Sequence, residues 1–171
     1  MFNGIIKNTG RIVSIRKNKK NCILSINSKI KFKKSEIGSS ISCSGTCLTL
    51  SSFKKNNSKF YLSIETLNRT NFKYSKVKDL INLEKSLKYG TRMSGHFVQG
   101  HVDAACLVNK IHFLGKSWSI NIELSKKYRN LEVEKGSITI NGVSLTISNI
   151  FKKEFQVVVI PQTLKYTNLI K

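Results

Sequence analysis

The chain has 171 residues, a length that suits one domain or two small ones. Hydrophobic residues make up 40% of it and charged residues 23%, values that exclude a disordered chain and predict a folded one. No apolar run approaches the roughly 18 residues of a membrane span, and the opening "MFNGIIKNTG" lacks the pattern of a signal peptide. We therefore expect a cytoplasmic protein with no membrane partner.

The net charge of +21 raises the question of a nucleic-acid partner. Of the 30 basic residues, however, 25 are Lys and only 5 are Arg, and it is Arg that supplies the bidentate fork for phosphate and guanine. No series of aromatic residues accompanies the basic ones to stack on successive bases. We expect no nucleic acid, and a basic β-barrel that binds it is the least favoured alternative.

Short strand patterns follow one another along the chain. Lys alternates with Ile and Phe over 29–33, which predicts a strand with one wet face. Helical patterns are brief, at "KKSEIG" (33–38) and "SKKYRNLE" (125–132). The clearest strands, rich in β-branched and aromatic residues, are "SKFYLSI" (58–64), "KDLINLE" (78–84), "SWSINIEL" (117–124) and "EFQVVVI" (154–160).

The sequence also repeats itself. Residues 41–51, "ISCSGTCLTLS", match residues 138–148, "ITINGVSLTIS", and "ETLNRTN" (65–71) matches "QTLKYTN" (162–168), both at an offset of 97. Nearer the start, Gly4 matches Gly100 at an offset of 96. One offset with one slip over about 70 residues indicates two copies of one module.

Short strands at regular spacing within each copy predict an all-β fold of two tandem six-stranded Greek-key barrels. We assign residues 1–87 to the N-terminal barrel, 88–94 to a linker and 95–171 to the C-terminal barrel. The second-copy partner of "KDLINLE" would fall near position 177, so we expect the second barrel to lack its last strand within this sequence. Such a barrel exposes unpaired edges, so we expect either that the chain is truncated or that another chain or segment covers them.

The thiols and imidazoles do not form a metal signature. His96 and His101 are spaced His-x4-His, but no third ligand cluster accompanies them. No CxxC occurs, so each cysteine is expected to be a free thiol and no metal is predicted. The four cysteines are Cys22, Cys43, Cys47 and Cys106.

Several of these stretches together resemble the riboflavin synthase family. They are "MFNGII" at the start, "GTCLT" (45–49), "GHFVQGHVD" (95–103), "NGVSLT" (141–146) and the doubled "TLxxTN". The resemblance covers nearly the whole chain. It implies two similar Greek-key barrels, each binding one copy of the same substrate, and a homotrimer whose active site lies between the first barrel of one subunit and the second barrel of a neighbour.

The implied activity is that of a cofactor-independent transferase, the last step of riboflavin biosynthesis. Two molecules of 6,7-dimethyl-8-ribityllumazine react, and one donates a four-carbon unit to the other. The products are riboflavin and 5-amino-6-ribitylamino-pyrimidinedione. An association with lumazine synthase is a further expected partnership.

The resemblance also implies which residues contact the lumazine. For the first barrel they are Gly4, Ile5, Ile6, Leu48, Thr49, Leu62, Ser63, Ile64, Glu65 and Thr66. For the second barrel they are Gly100, Val102, Lys135, Leu145, Thr146, Val159, Ile160, Pro161, Gln162, Thr163 and Leu164.

Four residues are candidates for catalysis: Cys47, His101, Ser144 and Asn141. His101 is a candidate for proton transfer, since imidazole titrates near neutrality, and the alternative is a satisfied polar residue beside a glycine turn. Cys47 is a transient nucleophile, a proton relay or a core thiol. Its repeat partner is Ser144, which favours a small polar group at both sites. His96 is interpreted as supporting the turn that presents His101.

Two residues depart from the family pattern. Asn141 stands where many relatives carry Asp, and Gln162 where they carry Glu, so two carboxylates are absent. Relatives also place an acidic residue in the final strand of the second barrel, near the Ser144 position. These departures favour the alternative function, a lumazine- or flavin-binding protein of the same fold without turnover.

Overall fold

The computed structural model describes residues 1–18 and 21–170; Lys171, the last residue of the predicted second domain, lies outside them. The strands are β1 (Asn8–Lys17), β2 (Asn21–Ser28), β3 (Ser40–Cys43), β4 (Thr46–Lys54), β5 (Asn57–Ser63), β6 (Leu80–Lys85), β7 (Val108–Leu114), β8 (Ser117–Glu123), β9 (Ser137–Ile140), β10 (Val143–Ile150) and β11 (Glu154–Val159). The α-helices are α1 (Ile64–Arg69) and α2 (Pro161–Tyr166), and 3₁₀ turns span Lys34–Glu36, Asn71–Lys73 and Arg129–Leu131.

The first copy forms a closed barrel of six strands. Their order is β1-β2-β5-β4-β3-β6, with every neighbour antiparallel, and β6 closes the barrel because it pairs with both β1 and β3. Alternation decides which side chains fill the interior. In β5, for example, Phe60 and Leu62 are buried whereas Lys59 and Tyr61 are exposed. The predicted Greek-key barrel and its final strand are confirmed.

The second copy repeats this order without its sixth member. The sheet runs β7-β8-β11-β10-β9, so β7 and β9 are edges, and the expected short second barrel is confirmed. Every residue of β7 is exposed. A cavity of about 790 Å³ lies where β6 lies in the first copy, lined by Val108 of β7, Ile138 of β9 and the core residue Phe155. This larger cavity is therefore the position of a sixth strand.

Two short helices were not predicted. The segments that form α1 and α2 lie at the repeat offset of 97 from each other, and each follows the last residues of a strand. In α1 the Ser63 hydroxyl accepts a hydrogen bond from the Thr66 N–H at 3.1 Å, and α2 begins with Pro161, both common helix starts. The predicted helical segments 33–38 and 125–132 form only single 3₁₀ turns.

The strand predicted over 29–33 is wrong, since β2 ends at Ser28 and none of these residues pairs with a strand. The alternation reflects something else. Ile30 is buried in the first core, and the ammonium group of Lys85 donates to the Lys31 carbonyl at 2.7 Å. The same ammonium lies over the Phe32 ring, 4.8 Å from its centroid. The segment covers the end of the barrel instead of joining its wall.

The two copies meet about an approximate two-fold axis. Phe2 and Val98, neighbours of the repeat-equivalent Gly4 and Gly100, form an antiparallel bridge with N–H···O distances of 2.8 and 3.1 Å. At the β3–β4 and β9–β10 turns, Gly45 and Gly142 lie against each other's backbone. Equivalent elements therefore face each other, as in a symmetric dimer.

The Asn82 side chain makes several hydrogen bonds between the copies. It is fully buried on β6, its amide donates to the Asn141 carbonyl and the Asn168 side chain at 2.8 Å each, and its oxygen accepts from the Asn168 N–H at 2.8 Å. A buried polar group that loses its partners costs about 1–3 kcal/mol. This cluster therefore ties the end of the second copy to the last strand of the first.

We expect Asn82→Ala to lower the free energy of unfolding by about 1–3 kcal/mol, because it orphans the Asn141 carbonyl and the Asn168 N–H. Urea titration followed by Trp fluorescence measures this. Asn27→Ala is the matched control, since it removes an exposed amide bond to Asn57 and should cost far less. Equal losses in the two variants would contradict the assignment.

Candidate functional site

The glycine-containing segments of the two copies cross over. The Ser144 N–H donates to the Gly4 carbonyl at 2.7 Å, and the Cys47 N–H donates to the Gly100 carbonyl at 2.8 Å. Ser144 and Cys47 are equivalent in the repeat, and so are Gly4 and Gly100. Each barrel is therefore completed by the leading segment of the other copy, which we define as residues 2–6 in the first copy and residues 98–102 in the second.

This corrects the predicted grouping. We expected Gly4–Ile6 to serve the first barrel and Gly100–Val102 the second, and the structure places each on the opposite barrel. The reason is the pairing of Phe2 with Val98, which brings the two leading segments together at the axis and directs each past the other. A local repeat contains no information about this exchange.

A cavity of about 450 Å³ lies where the first leading segment meets the second barrel. Its volume is within the range of small-molecule sites. Six of its ten lining residues are predicted site residues; the full set is Gly4, Ile5, Ile6, Lys7, Val143, Ser144, Gln162, Thr163, Tyr166 and Thr167. The structure therefore brings together the start of the chain, strand β10 and helix α2.

Other predicted residues of the second barrel lie around this cavity without lining it. Val159 and Leu164 are buried in the second core, so only their backbone can face a ligand. Leu145, Thr146, Ile160 and Pro161 belong to, or adjoin, the elements that form the cavity. Lys135 is exposed beside Glu134, with an N–O distance of 3.8 Å, and the structure does not place it at the cavity.

The equivalent residues of the first barrel differ in how far they are buried. Cys47 is half-buried beside Gly100, while Leu48 and Leu62 point into the core. The remaining predicted residues are Thr49, Ser63, Ile64, Glu65, Thr66 and Val102, all exposed or half-buried. Among them, the Ser63 and Thr66 hydroxyls lie 3.0 Å apart at the start of α1.

The two histidines are placed differently from each other. The His96 ring is half-buried, with Nδ1 2.7 Å from the Ser144 hydroxyl and Nε2 2.9 Å from the Thr139 hydroxyl. Burial lowers the pKa of His96 and favours the neutral ring. His101, the predicted proton-transfer residue, is exposed beside Gly100 and lines the larger cavity. The structure brings Ser144 to His96, not to His101.

Asn141 occupies the turn between β9 and β10. Its carbonyl accepts from Asn82, and its side-chain oxygen accepts from Asn71 at 3.4 Å, so both groups face the first copy. Its φ of 48° followed by Gly142 at 80° identifies a tight turn of the type that favours Asn-Gly. The structure places Asn141 between the barrels and the larger cavity, apart from the smaller one.

Sequence reasoning missed the residues that hold the leading segment. The Glu84 carboxylate on β6 accepts from the N–H groups of Asn3 at 2.8 Å and Gly4 at 2.9 Å. Burial raises the pKa of Glu84, and the two N–H donors partly offset that rise. The repeat could have indicated Glu84. Relatives carry an acidic residue in the last strand of the second barrel, and the repeat then predicts one in the last strand of the first barrel.

The cysteines give a direct probe of the first-barrel surface. Burial raises the pKa of the Cys22, Cys43 and Cys106 thiols, but only Cys22 and Cys43 are inaccessible, since Cys47 is half-buried and Cys106 is exposed. Iodoacetamide should therefore label Cys106 and Cys47 and spare the other two. The described residues contain no cluster of three His, Cys, Asp or Glu side chains suited to an ion.

The family resemblance implies that a lumazine binds beside Cys47. A ligand there should slow alkylation of this half-buried thiol on the order of tenfold at about ten times its Kd. Peptide mapping by mass spectrometry measures labelling at each cysteine. Cys106 is the internal control, and its labelling should not change. Equal labelling of Cys47 with and without ligand would remove this thiol from the site.

Comparisons with known proteins identify the family of the chain. The family model "Lumazine binding domain" matches residues 3–86 and again 99–171. The riboflavin synthase of Photobacterium phosphoreum is 38% identical over 99% of the chain and 78% of the relative, and that of Actinobacillus pleuropneumoniae is 36% identical over 99% and 79%.

Solved structures share the fold. Crystal structures of LumP with riboflavin and with 6,7-dimethyl-8-(1'-D-ribityl) lumazine superpose with TM-scores of 0.87 and 0.84, at 24% and 23% identity, over 99% of this chain and 92% of those. Within the described residues, no helix is long and apolar enough to cross a membrane. By the doubled family match and the full-length relatives, the chain belongs to the riboflavin synthase family of lumazine-binding proteins.

Proposed function

We propose that this chain is a riboflavin synthase, which converts two molecules of 6,7-dimethyl-8-ribityllumazine into riboflavin and 5-amino-6-ribitylamino-pyrimidinedione. The observation that carries the proposal is the pair of equivalent crossed contacts, Gly4 with Ser144 and Gly100 with Cys47. One reaction that joins two identical molecules needs two matching sites. The products together contain all the atoms of the two substrates, so no oxidant, reductant or cofactor is required.

The chemistry needs one lumazine to lose a proton from its 7-methyl group and the other to be attacked at C7. Holding both rings makes their union effectively unimolecular, which supplies much of the acceleration. In the second barrel Ser144, Thr163 and Gln162 line the smaller cavity and carry two hydroxyls and an amide. They can bond the ring carbonyls and the ribityl chain. In the first barrel Cys47, Thr66 and His101 are proposed to serve the second lumazine.

The proposal is tested by incubating the purified chain with 6,7-dimethyl-8-ribityllumazine and separating the products by liquid chromatography. One riboflavin and one pyrimidinedione should form for every two lumazines consumed. Heat-denatured protein is the control for spontaneous conversion. Consumption with another stoichiometry, or binding without product, would contradict the enzyme.

A lumazine- or flavin-binding protein without turnover is the second candidate. Asn141 holds its side chain and carbonyl toward the first copy, and Gln162 at the cavity carries an amide in place of a carboxylate. Both are neutral at every pH, so neither can act as a general base. Tight binding of lumazine with no riboflavin would favour this candidate over the enzyme.

The homotrimer, the cytoplasmic location and the association with lumazine synthase are part of the same proposal. The homotrimer follows from the family resemblance, which implies an active site between the first barrel of one subunit and the second barrel of a neighbour. Light scattering after gel filtration should give three times the chain mass of 19.4 kDa. A mass of one chain at micromolar concentration would contradict the trimer.

A further inference from the structure

His96 connects two hydroxyl groups through the two nitrogens of one ring. Ser144 lies at Nδ1 and Thr139 at Nε2, at 2.7 and 2.9 Å. A neutral imidazole has one donor and one acceptor nitrogen, so exactly one of the two hydroxyls gives its proton to the ring. The burial that lowers the pKa of His96 favours this neutral form.

The backbone holds this ring with little freedom. The Asn3 side-chain oxygen accepts from the Ser94 and Gly95 N–H groups at 3.1 and 2.7 Å, and the Asn3 carbonyl accepts from the His96 N–H at 3.3 Å. A β-carbon on Gly95 would overlap the Asn3 carbonyl. The loop before the His96 ring is therefore hydrogen-bonded to the leading segment. That segment is in turn held by the Glu84 carboxylate, which accepts from its N–H groups.

Ser144 separates His96 from the smaller cavity. Ser144 lines that cavity together with Gly4, whose carbonyl accepts the Ser144 N–H at 2.7 Å, whereas His96 lines only the larger one. A ligand in the smaller cavity touches the serine and not the imidazole. Any effect of His96 on that ligand must therefore pass through the Ser144 hydroxyl.

We propose that His96 is a positioning residue that accepts the Ser144 hydroxyl proton on Nδ1, with Thr139 fixing the tautomer by accepting the Nε2 proton. The inference rests on the proposed function and deepens it. As the O–H bond of Ser144 breaks, its oxygen bonds to C7 of the lumazine and the proton moves to His96. The electron pair displaced from C7 moves into the conjugated pyrimidinedione ring. When the adduct collapses, the proton returns to Ser144.

The arrangement follows the general pattern of a hydroxyl nucleophile, an adjacent imidazole and a third group that orients it. Thr139 takes the orienting place, and it is neutral, so it selects the tautomer without stabilising an imidazolium. His101 is not bonded to Ser144 or Thr139, and its side chain forms no hydrogen bond with the described residues. The two histidines therefore serve different roles.

The test compares His96→Gln, Ser144→Ala and the double variant. We expect each single variant to lower kcat about 100- to 1,000-fold, with the double variant no slower than Ser144→Ala, since both remove one relay. In His96→Gln, lumazine binding should stay within about twofold of the wild type, because His96 does not touch the ligand. His112→Gln, on the exposed strand β7, is the control and should keep full activity.

Losses of kcat that multiply in the double variant would overturn the relay, because independent roles are additive in free energy. A loss in His96→Gln that is accounted for by unfolding or by weaker lumazine binding would overturn it too.

Nitrogen-15 NMR of histidine-labelled protein separates this failure from failure of the proposed function. We expect His96 as the neutral Nε2–H tautomer at neutral pH, with the Nε2 proton signal perturbed in Thr139→Val. If the wild-type chain makes no riboflavin, the proposed enzymatic function is contradicted, but the tautomer of His96 still tests the proposed hydrogen-bond arrangement. The opposite tautomer, with the proton on Nδ1, would overturn the relay whatever the activity.

Discussion

Gly100→Ala is expected to weaken lumazine binding at the first barrel on the order of a hundredfold while leaving the second barrel's site intact. Gly100 has a φ of +81°, and a β-carbon there would lie 2.7 Å from the Cys47 β-carbon and 3.0 Å from the Phe2 ring. The left-handed backbone costs about 1–2 kcal/mol for an L-residue, and overpacking a further 1–3 kcal/mol or so. The leading segment must move away from Cys47, which separates the two parts of the site.

Gly4→Ala is the mirror experiment on the second barrel. Its φ is +73°, and a β-carbon would lie 2.7 Å from the Ser144 β-carbon and 2.8 Å from the Ser144 nitrogen. Each variant should reduce the binding stoichiometry by calorimetry from two lumazines per chain to one, with affinity at the damaged site lower on the order of a hundredfold. Each should also lose riboflavin formation, because the reaction needs both sites.

Gly115→Ala is the matched control for both variants. Gly115 also has a φ of +73°, but nothing lies within 4 Å of a β-carbon there, so it has the strain without the collision. It should bind two lumazines and keep its activity. Mixing the Gly4→Ala and Gly100→Ala proteins should restore activity if the reacting sites belong to neighbouring subunits. Two lumazines bound by either site variant would refute the crossed arrangement.

The second large effect is expected at the contact between the barrels. A β-carbon on Gly45 would lie 2.8 Å from the Gly142 nitrogen, and one on Gly142 would lie 2.7 Å from the Gly45 nitrogen. Both residues have positive φ, +85° and +80°. With strain and overpacking combined, Gly45→Ala or Gly142→Ala should lower the free energy of unfolding by about 2–5 kcal/mol.

Urea unfolding measures this loss, with Gly38→Ala as the control. Gly38 has a φ of +91° but open space around its β-position, so only the strain applies. The cost at Gly45 should exceed that at Gly38 by the whole overpacking contribution. Equal costs at Gly38 and Gly45 would show that the turns do not press on each other in solution.

Much of the fold was predictable because the repeat and the strand period are local properties of the sequence. Alternation in "SKFYLSI" and "EFQVVVI" predicted strands that the structure contains as β5 and β11. The offset of 97 predicted the missing sixth strand of the second barrel. The alternation over 29–33 misled, because a chain segment that covers a barrel end also alternates buried and exposed residues.

The site was less predictable because its assembly depends on long-range docking. The segments around Gly4 and Gly100 have similar sequences, so the local sequence does not predict which segment docks on which barrel. His96 and His101 each follow a glycine, so the local sequence does not distinguish them. The position of His96 depends on Asn3, whose side-chain oxygen accepts a hydrogen bond from the Gly95 N–H more than 90 residues away. Neither periodicity nor spacing reports such a contact.

The crossed leading segments mean that neither half of this chain is a self-sufficient ligand-binding unit. A lone N-terminal half would keep Cys47 and lose the Gly100 carbonyl that its amide meets. Two such halves could regain an equivalent partner by forming a dimer in which the Gly4 segment of each half docks on the barrel of the other. Fusion of two such genes would place both halves in one chain and make the exchange of segments intramolecular. The equivalent positions Ser144 and Cys47 could then differ in sequence.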